Sequence, residues 1–166
     1  MKIRQLNPTD AEKYLSIRLE ALQDSPYAFA SSYEEEKNQT AEKYKNRFST
    51  PVNTFTFGAF EESQVVGIVT LIREQTLKLN HRANIVAMYI KPKKRGIGLG
   101  KALISKAVEK ANSLEGIEQI YLSVVTTNIP AKKLYASCGF EIFGKDKKAL
   151  KFDNTYYDEE HMVLIL

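Results

Sequence analysis

The stretch Lys91-Pro92-Lys93-Lys94-Arg95-Gly96-Ile97-Gly98-Leu99-Gly100-Lys101 decides the fold, because its glycines sit between an apolar run and a helix-periodic one. Upstream, Asn84 to Ile90 is apolar and of strand length. Downstream, Leu99, Leu103, Ala107 and Ala111 recur at helical spacing within Gly98 to Ser113. A strand therefore feeds a glycine loop that opens into a helix. Such a loop suits a phosphate: glycines let the backbone approach closely, successive N–H groups point at the anion, and the helix N-terminus adds partial positive charge. Two phosphate-loop patterns nevertheless fail here. A P-loop requires glycine where Arg95 stands and a magnesium-binding hydroxyl where Ala102 stands. The dinucleotide fingerprint fits Gly96 and Gly98 but meets Lys101 at its third glycine.

Outward from this loop the chain reads as one α+β unit over residues 1–166, with no repeat, low-complexity tract or linker. Lys2 to Leu6 alternates like an edge strand, and Thr9 or Asp10 offers an N-cap for a helix carrying Tyr14, Ile17, Leu19 and Leu22. Ser25-Pro26 ends that helix, and a second covers Ala41 to Phe48. Thr54 to Phe60 and Val65 to Arg73 form a hairpin. After the glycine helix come a strand at Gln119 to Val125 and a short helix capped by Asn128 and stopped at Gly139. Two final strands follow, Phe140 to Phe152 with a break near Gly144 to Lys148, and Tyr157 to Leu166. The reading gives about seven strands and about four helices in a mixed, mostly antiparallel sheet.

Composition narrows the class. A single cysteine, Cys138, excludes an internal disulfide and points to a reducing compartment, where it packs as a small hydrophobe. No signal-peptide core and no apolar run of membrane-spanning length is present, so a soluble cytoplasmic protein is expected. The net charge of +4 is modest, but Lys91, Lys93, Lys94, Arg95 and Lys101 crowd the central loop while Glu34 to Glu36 form an acidic run. Nucleic-acid binding through the basic stretch lacks aromatic interleaving and a recognised motif. Two histidines and one cysteine far apart give no support for a metal site.

Arg95, Gly98 and Gly100 match the pattern Arg/Gln-x-x-Gly-x-Gly/Ala between a strand and a helix. A second element, Asn128-x-x-Ala131-x-x-Leu134-Tyr135-x-x-x-Gly139-Phe140, follows in order. With both, the chain resembles the GNAT-type N-acetyltransferase superfamily, sharply from Ile90 to Phe140 and loosely before Thr54. The resemblance implies central strands that splay into an acetyl-CoA cleft. It also implies cosubstrate contacts from Arg95, Gly96, Ile97, Gly98, Leu99, Gly100 and Lys101, with Asn128 touching CoA and Ala131 leaving room for it. A backbone N–H within Met88, Tyr89 and Ile90 would hold the thioester oxyanion, and Tyr135 would protonate the leaving thiolate. No metal is implied, and a homodimer is plausible from the family alone.

One position departs from the family. Many relatives carry a glutamate base where this chain has Asn84, and an amide accepts no proton at neutral pH. His81, or Glu34, Glu35 or Glu36, are the replacements, unless the amine arrives deprotonated. Tyr27, Phe29, Ser31 and Ser32 stand where the family forms its acceptor wall, or are core and turn residues; His161 reads as a packed or edge histidine. The expected activity is acetyl transfer to the primary amine of a small molecule. A protein N-terminal or lysine acetyltransferase and a non-catalytic acyl-CoA-binding module are the alternatives.

Overall fold

The computed structural model describes residues 1–166. Strands β1 (Lys2–Gln5), β2 (Thr54–Glu61), β3 (Gln64–Arg73), β4 (Arg82–Ile90), β5 (Gln119–Val125), β6 (Glu141–Phe152) and β7 (Thr155–Ile165) form one seven-stranded sheet in the order β1-β2-β3-β4-β5-β7-β6. Every pairing is antiparallel except β4 with β5. The α-helices are α1 (Ala11–Asp24), α2 (Tyr33–Glu36), α3 (Glu42–Ser49), α4 (Leu99–Ser113) and α5 (Ile129–Ser137). The α+β fold with its mostly antiparallel sheet is the one the sequence suggests, with one helix more.

That extra helix, α2, is a single turn too short to show a period. It forms on a capping box in which the Ser32 hydroxyl accepts from the Glu35 N–H and the Glu35 carboxylate accepts from the Ser32 N–H. Asp10, one of the two expected residues, is the N-cap of α1, but its side chain makes no capping bond there. Asn7 caps a 3-10 turn at Pro8–Asp10, and the Asp10 carboxylate reaches back to the Asn7 N–H while gripping Arg4 at 2.6 and 2.9 Å.

The two sheet faces carry separate cores. On one, Leu103, Ile104 and Ala107 of α4 pack on Phe57, Leu71 and Ile120. On the other, Tyr14 and Ile17 of α1 with Tyr44 and Phe48 of α3 pack on Ile68. Each fully buried Leu or Ile contributes about 1.5–3 kcal/mol, which fixes the helices to the sheet.

What positions the site is a failure of pairing. β4 and β5 run parallel only across Arg82↔Gln119 to Asn84↔Tyr121, whereas β5 stays with β7 as far as Val125↔Glu159. Between Val86 and Tyr89 strand β4 advances further than β3, and Ala87 takes a positive φ of 52°. Such a bulge bends and twists a strand. β4 and β5 therefore diverge toward their C-terminal ends and leave a cleft.

The break expected near Gly144 to Lys148 is realised as two bulges inside a continuous β6. One lies between Ile142 and Gly144, the other between Asp146 and Leu150. In the second, Lys148 has φ 54° and donates its N–H to Asp158 Oδ1 at 2.8 Å. No helix is long and apolar enough to cross a membrane.

Candidate active site

The loop between β4 and α4 holds an unbroken row of free donors. The backbone N–H groups of Gly96, Ile97, Gly98, Leu99, Gly100 and Lys101 donate to nothing in the chain, and the first closed bond runs from the Ala102 N–H to the Gly98 carbonyl at 3.1 Å. Helix geometry leaves the first N–H groups of α4 without partners, and the loop extends that set backwards. Gly96 and Gly98 reach the required conformation at φ 77° and 82°, where a side chain costs about 1–2 kcal/mol. A Cβ at Gly98 would meet no protein atom within 4 Å, but one at Gly100 would lie 2.8 Å from Leu134 Cδ2 and 3.3 Å from Ile90 Cδ1. Gly98 thus leaves space open, and Gly100 lets α4 close onto α5 and β4.

The basic residues around the loop are mostly braces. Lys91 pairs with Glu20 at 2.8 Å, Lys94 with Glu61 at 2.6 Å and Arg95 with Asp24 at 2.8 Å. Arg95 also donates Nε to the Ile90 carbonyl at 2.9 Å, on the side of β4 that β5 has left. Its guanidinium ties the loop to α1 and to the cleft wall. Lys93 and Lys101 form no ion pair. Tyr89 sends its ring to the α1 side, with its hydroxyl 3.3 Å from Glu20, while Met88 and Ile90 pack toward α4.

Across the cleft, Asn128 caps α5 by accepting from the Ala131 N–H at 3.3 Å, which leaves its Nδ2 free. Ala131 and Leu134 pack on the α4-side core. The Tyr135 ring is buried edge-on to Phe140, and its hydroxyl makes no hydrogen bond within the chain. Burial, reinforced by neighbouring Cys138, pushes the Tyr135 phenol above its ordinary range, so it stays protonated. Cys138 is half-buried at the end of α5 and packs on the same core.

The replacement bases do not converge here. His81 precedes the segment in which β4 and β5 are still paired, at the closed end of the cleft. Glu36 is buried in a two-bond pair with Arg18, at 3.1 Å each; Glu35 forms the α2 capping box; Glu34 pairs with Lys37. Asn84 stands at the fork and donates Nδ2 at 2.7 Å to Oε1 of Glu74, the residue after β3, which brings a carboxylate there.

Tyr27, on the 3-10 turn Pro26–Ala28, stacks on Tyr157 with ring centroids 5.6 Å apart. Next along the same face of β7, His161 Nδ1 lies 2.7 Å from Ser123 Oγ, and half-buried Glu159 has no partner. Glu74 and Glu159 escaped the sequence reading. Alternation along β7 places Tyr157, Glu159 and His161 on one face, but only the strand order shows that this face borders the cleft. No group of three or more His, Cys, Asp or Glu is placed to hold a metal.

Comparison with known proteins agrees with this architecture. An acetyltransferase (GNAT) domain model matches residues 3–161. The chain is 27% identical over 104 residues to a spermidine N(1)-acetyltransferase of Vibrio cholerae, a match covering 63% of this chain and 58% of that one. It is 28% identical over 104 residues to an L-amino acid N-acetyltransferase of Escherichia coli, covering 63% of this chain and 64% of that one. The chain thus spans about six-tenths of the length of these two curated relatives. Its fold is that of a GNAT-family acetyltransferase structure from Streptococcus pneumoniae, with a TM-score of 0.89, 23% identity, and 99% of this chain and 98% of that one covered.

Proposed function

The chain belongs to the acetyltransferase (GNAT) domain family, and from that premise we propose that it transfers the acetyl group of acetyl-CoA to the primary amine of a small molecule, by direct attack in a ternary complex. The observation that carries this reading is the run of six free N–H groups from Gly96 to Lys101 at the mouth of the β4–β5 cleft. Such a row accepts a pyrophosphate without a metal, with the α4 N-terminus adding its partial charge. Lys93 and Lys101 have no internal ion pair and supply mobile positive charge at the rim. Asn128 Nδ2 is the donor left over for the CoA arm, and Ala131 keeps that wall low.

In the reaction the amine lone pair attacks the thioester carbon. The resulting oxyanion is stabilised by a backbone N–H of Met88 to Ile90, on the edge of β4 that β5 has left. The C–S bond then breaks, the sulfur takes the Tyr135 proton, the nitrogen loses its extra proton to solvent, and solvent restores the phenol. Burial keeps that phenol protonated, so its proton is in place when the sulfur departs. The stacking of Tyr27 on Tyr157 closes one end of the acceptor side and favours a small amine over an extended peptide.

Isothermal titration with acetyl-CoA, followed by thiol release with spermidine and with an alanine-initiated peptide, tests the reading. Micromolar binding and turnover of the small amine are expected. Turnover of the peptide alone would reassign the acceptor, and binding with no product from a broad amine panel would make the protein an acyl-CoA-binding module. No binding by the folded protein would overturn the reading.

A further inference from the structure

Resting on the acetyl-transfer reading, we infer that Glu159 receives the acceptor as its ammonium ion and takes its proton, and hence that the acceptor is a cationic amine with no carboxylate beside the reacting nitrogen. The two faces of β7 make the placement. Met162 is buried in the α4-side core and Glu160 pairs with Lys132 of α5 at 2.9 Å, so these residues face the helices. Tyr157, Glu159 and His161 point to the opposite side, where the Tyr27 ring stacks on Tyr157. Glu159 stands level with Val125, the last residue of β5, and so flanks the open end of the cleft from the wall opposite β4.

Its neighbours on either side along the strand are occupied. The Asp158 carboxylate accepts from the Lys148 N–H at 2.8 Å, and Glu160 has Lys132. Glu159 is half-buried and has neither a hydrogen bond nor an ion pair. Its facing groups are Asp146, across the ladder on β6, His161 and Tyr157 on its own strand, and Tyr27 above; β5 presents apolar Val125 there. Burial raises the Glu159 carboxyl, His161 opposes that shift, and the negative charge of Asp146 adds to it. A carboxylate held this way is relieved by an arriving cation and is a stronger base than an exposed one. His161 is a positioning residue. Its Nδ1 is held by Ser123 Oγ and its ring lies 6.0 Å from Phe143, which fixes the floor beside Glu159.

The step balances. An ammonium N–H bond breaks and its proton passes to Glu159, the nitrogen lone pair forms the C–N bond, and the C–S bond breaks with the sulfur taking the Tyr135 proton. The nitrogen's second proton leaves to solvent as the tetrahedral adduct collapses to the amide, solvent reprotonates Tyr135 and deprotonates Glu159, and so one proton is released per acetyl group moved. A carboxylate adjacent to the acceptor nitrogen would meet both Glu159 and Asp146, which repel it.

The experiment uses spermidine and L-alanine as probes with the wild-type protein, Glu159→Gln and Glu159→Asp. Acetyl-CoA titration is expected to be unchanged within about twofold in both variants, because Glu159 lies off the phosphate loop. Spermidine binding to the CoA-loaded protein is expected to weaken at least about tenfold in Glu159→Gln. The kcat/KM for spermidine should fall about 10²-fold or more at pH 7, with the deficit shrinking as pH rises toward the amine's own pKa. Glu159→Asp should recover part of the rate, and L-alanine should be the poorer acceptor.

Stability provides a control of the opposite sign. A carboxyl whose folded pKa is raised loses stability as pH rises through that pKa, so Glu159→Gln should melt higher than wild type at pH 7 and converge with it below pH 4. Wild-type binding and pH profile in Glu159→Gln would overturn the assignment. So would a wild-type protein that holds acetyl-CoA yet refuses spermidine, or that prefers L-alanine. Failure to hold acetyl-CoA at all would instead remove the reading beneath it.

Discussion

The glycine loop at Gly96–Lys101 and the acidic turn at Glu34–Glu36 each concentrate one kind of hydrogen-bonding group, donors in the first and acceptors in the second. The fold treats them in opposite ways. Every N–H of the loop is left without an internal partner, while each carboxylate of the turn is taken up by Lys37, Ser32 or Arg18. Both segments are conspicuous in the sequence, so prominence does not separate ligand-binding from structural groups. What separates them is whether the surrounding chain leaves bonding capacity free, and that is a property of packing.

The largest expected effect comes from breaking the structural side of the contrast. Glu36→Ala leaves the Arg18 guanidinium, whose side chain is only 11% exposed, without its two-bond partner. Removing one member of a buried pair costs about 3–5 kcal/mol. Chemical denaturation should show that loss, with acetyl-CoA affinity retained under native conditions. A loss below about 1 kcal/mol would place the pair with surface ion pairs instead.

Two glycine substitutions sharpen the other side. Gly98→Ala puts a methyl group into open space at φ 82°, so its folding cost is the strain of about 1–2 kcal/mol, while the methyl stands where the phosphates would come. Acetyl-CoA affinity should fall about 10²-fold, a loss of about 2.7 kcal/mol. Gly100→Ala pushes a methyl against Leu134 and Ile90 and should cost about 1–3 kcal/mol of stability, with a smaller change in affinity. Titration and thermal midpoints on the two variants check the division; the reverse order would show that the loop binds through shape at α5 rather than through free donors. Tyr135→Phe should lower turnover about 10²-fold with stability and acetyl-CoA affinity unchanged, since its hydroxyl bonds to nothing in the chain. Unchanged turnover would remove its role as acid.

Legibility in the sequence followed the range of the interactions involved. The strand–loop–helix around Gly98 and the Asn128 cap depend on neighbours a few residues away, and the sequence displays both. α2 escaped because a four-residue turn has no period. The motif that singles out Arg95 is local, whereas its ion-pair partner Asp24 lies 71 residues away and cannot be read from it. Glu74 reaches Asn84 only through the β3–β4 register, and Glu159 borders the cleft only because β7 inserts between β5 and β6. Long-range pairing determined which charges remained available for chemistry, and a window of sequence carries no record of it.

The smallest effects test the contrast most finely, because Glu34, Glu35 and Glu36 are identical residues in succession. Glu35 accepts from both the Ser32 N–H and hydroxyl at 2.8 Å, and losing its half of the capping box should cost about 1 kcal/mol. Glu34 faces Lys37 one helical turn on, and both side chains are substantially exposed, at 74% and 39%. Exposed pairs at this spacing contribute about 0.2–0.5 kcal/mol and are screened by salt. Alanine at 34 should therefore shift the denaturation midpoint barely beyond error at low salt, and not at all near 1 M salt, where the screening length is about 3 Å. The three alanine variants should rank in chain order, with Glu34 the least and Glu36 the most destabilising. Since all three share residue type and local sequence, any such ranking arises from their partners alone. Equal losses at all three positions would mean instead that the turn acts as one electrostatic unit.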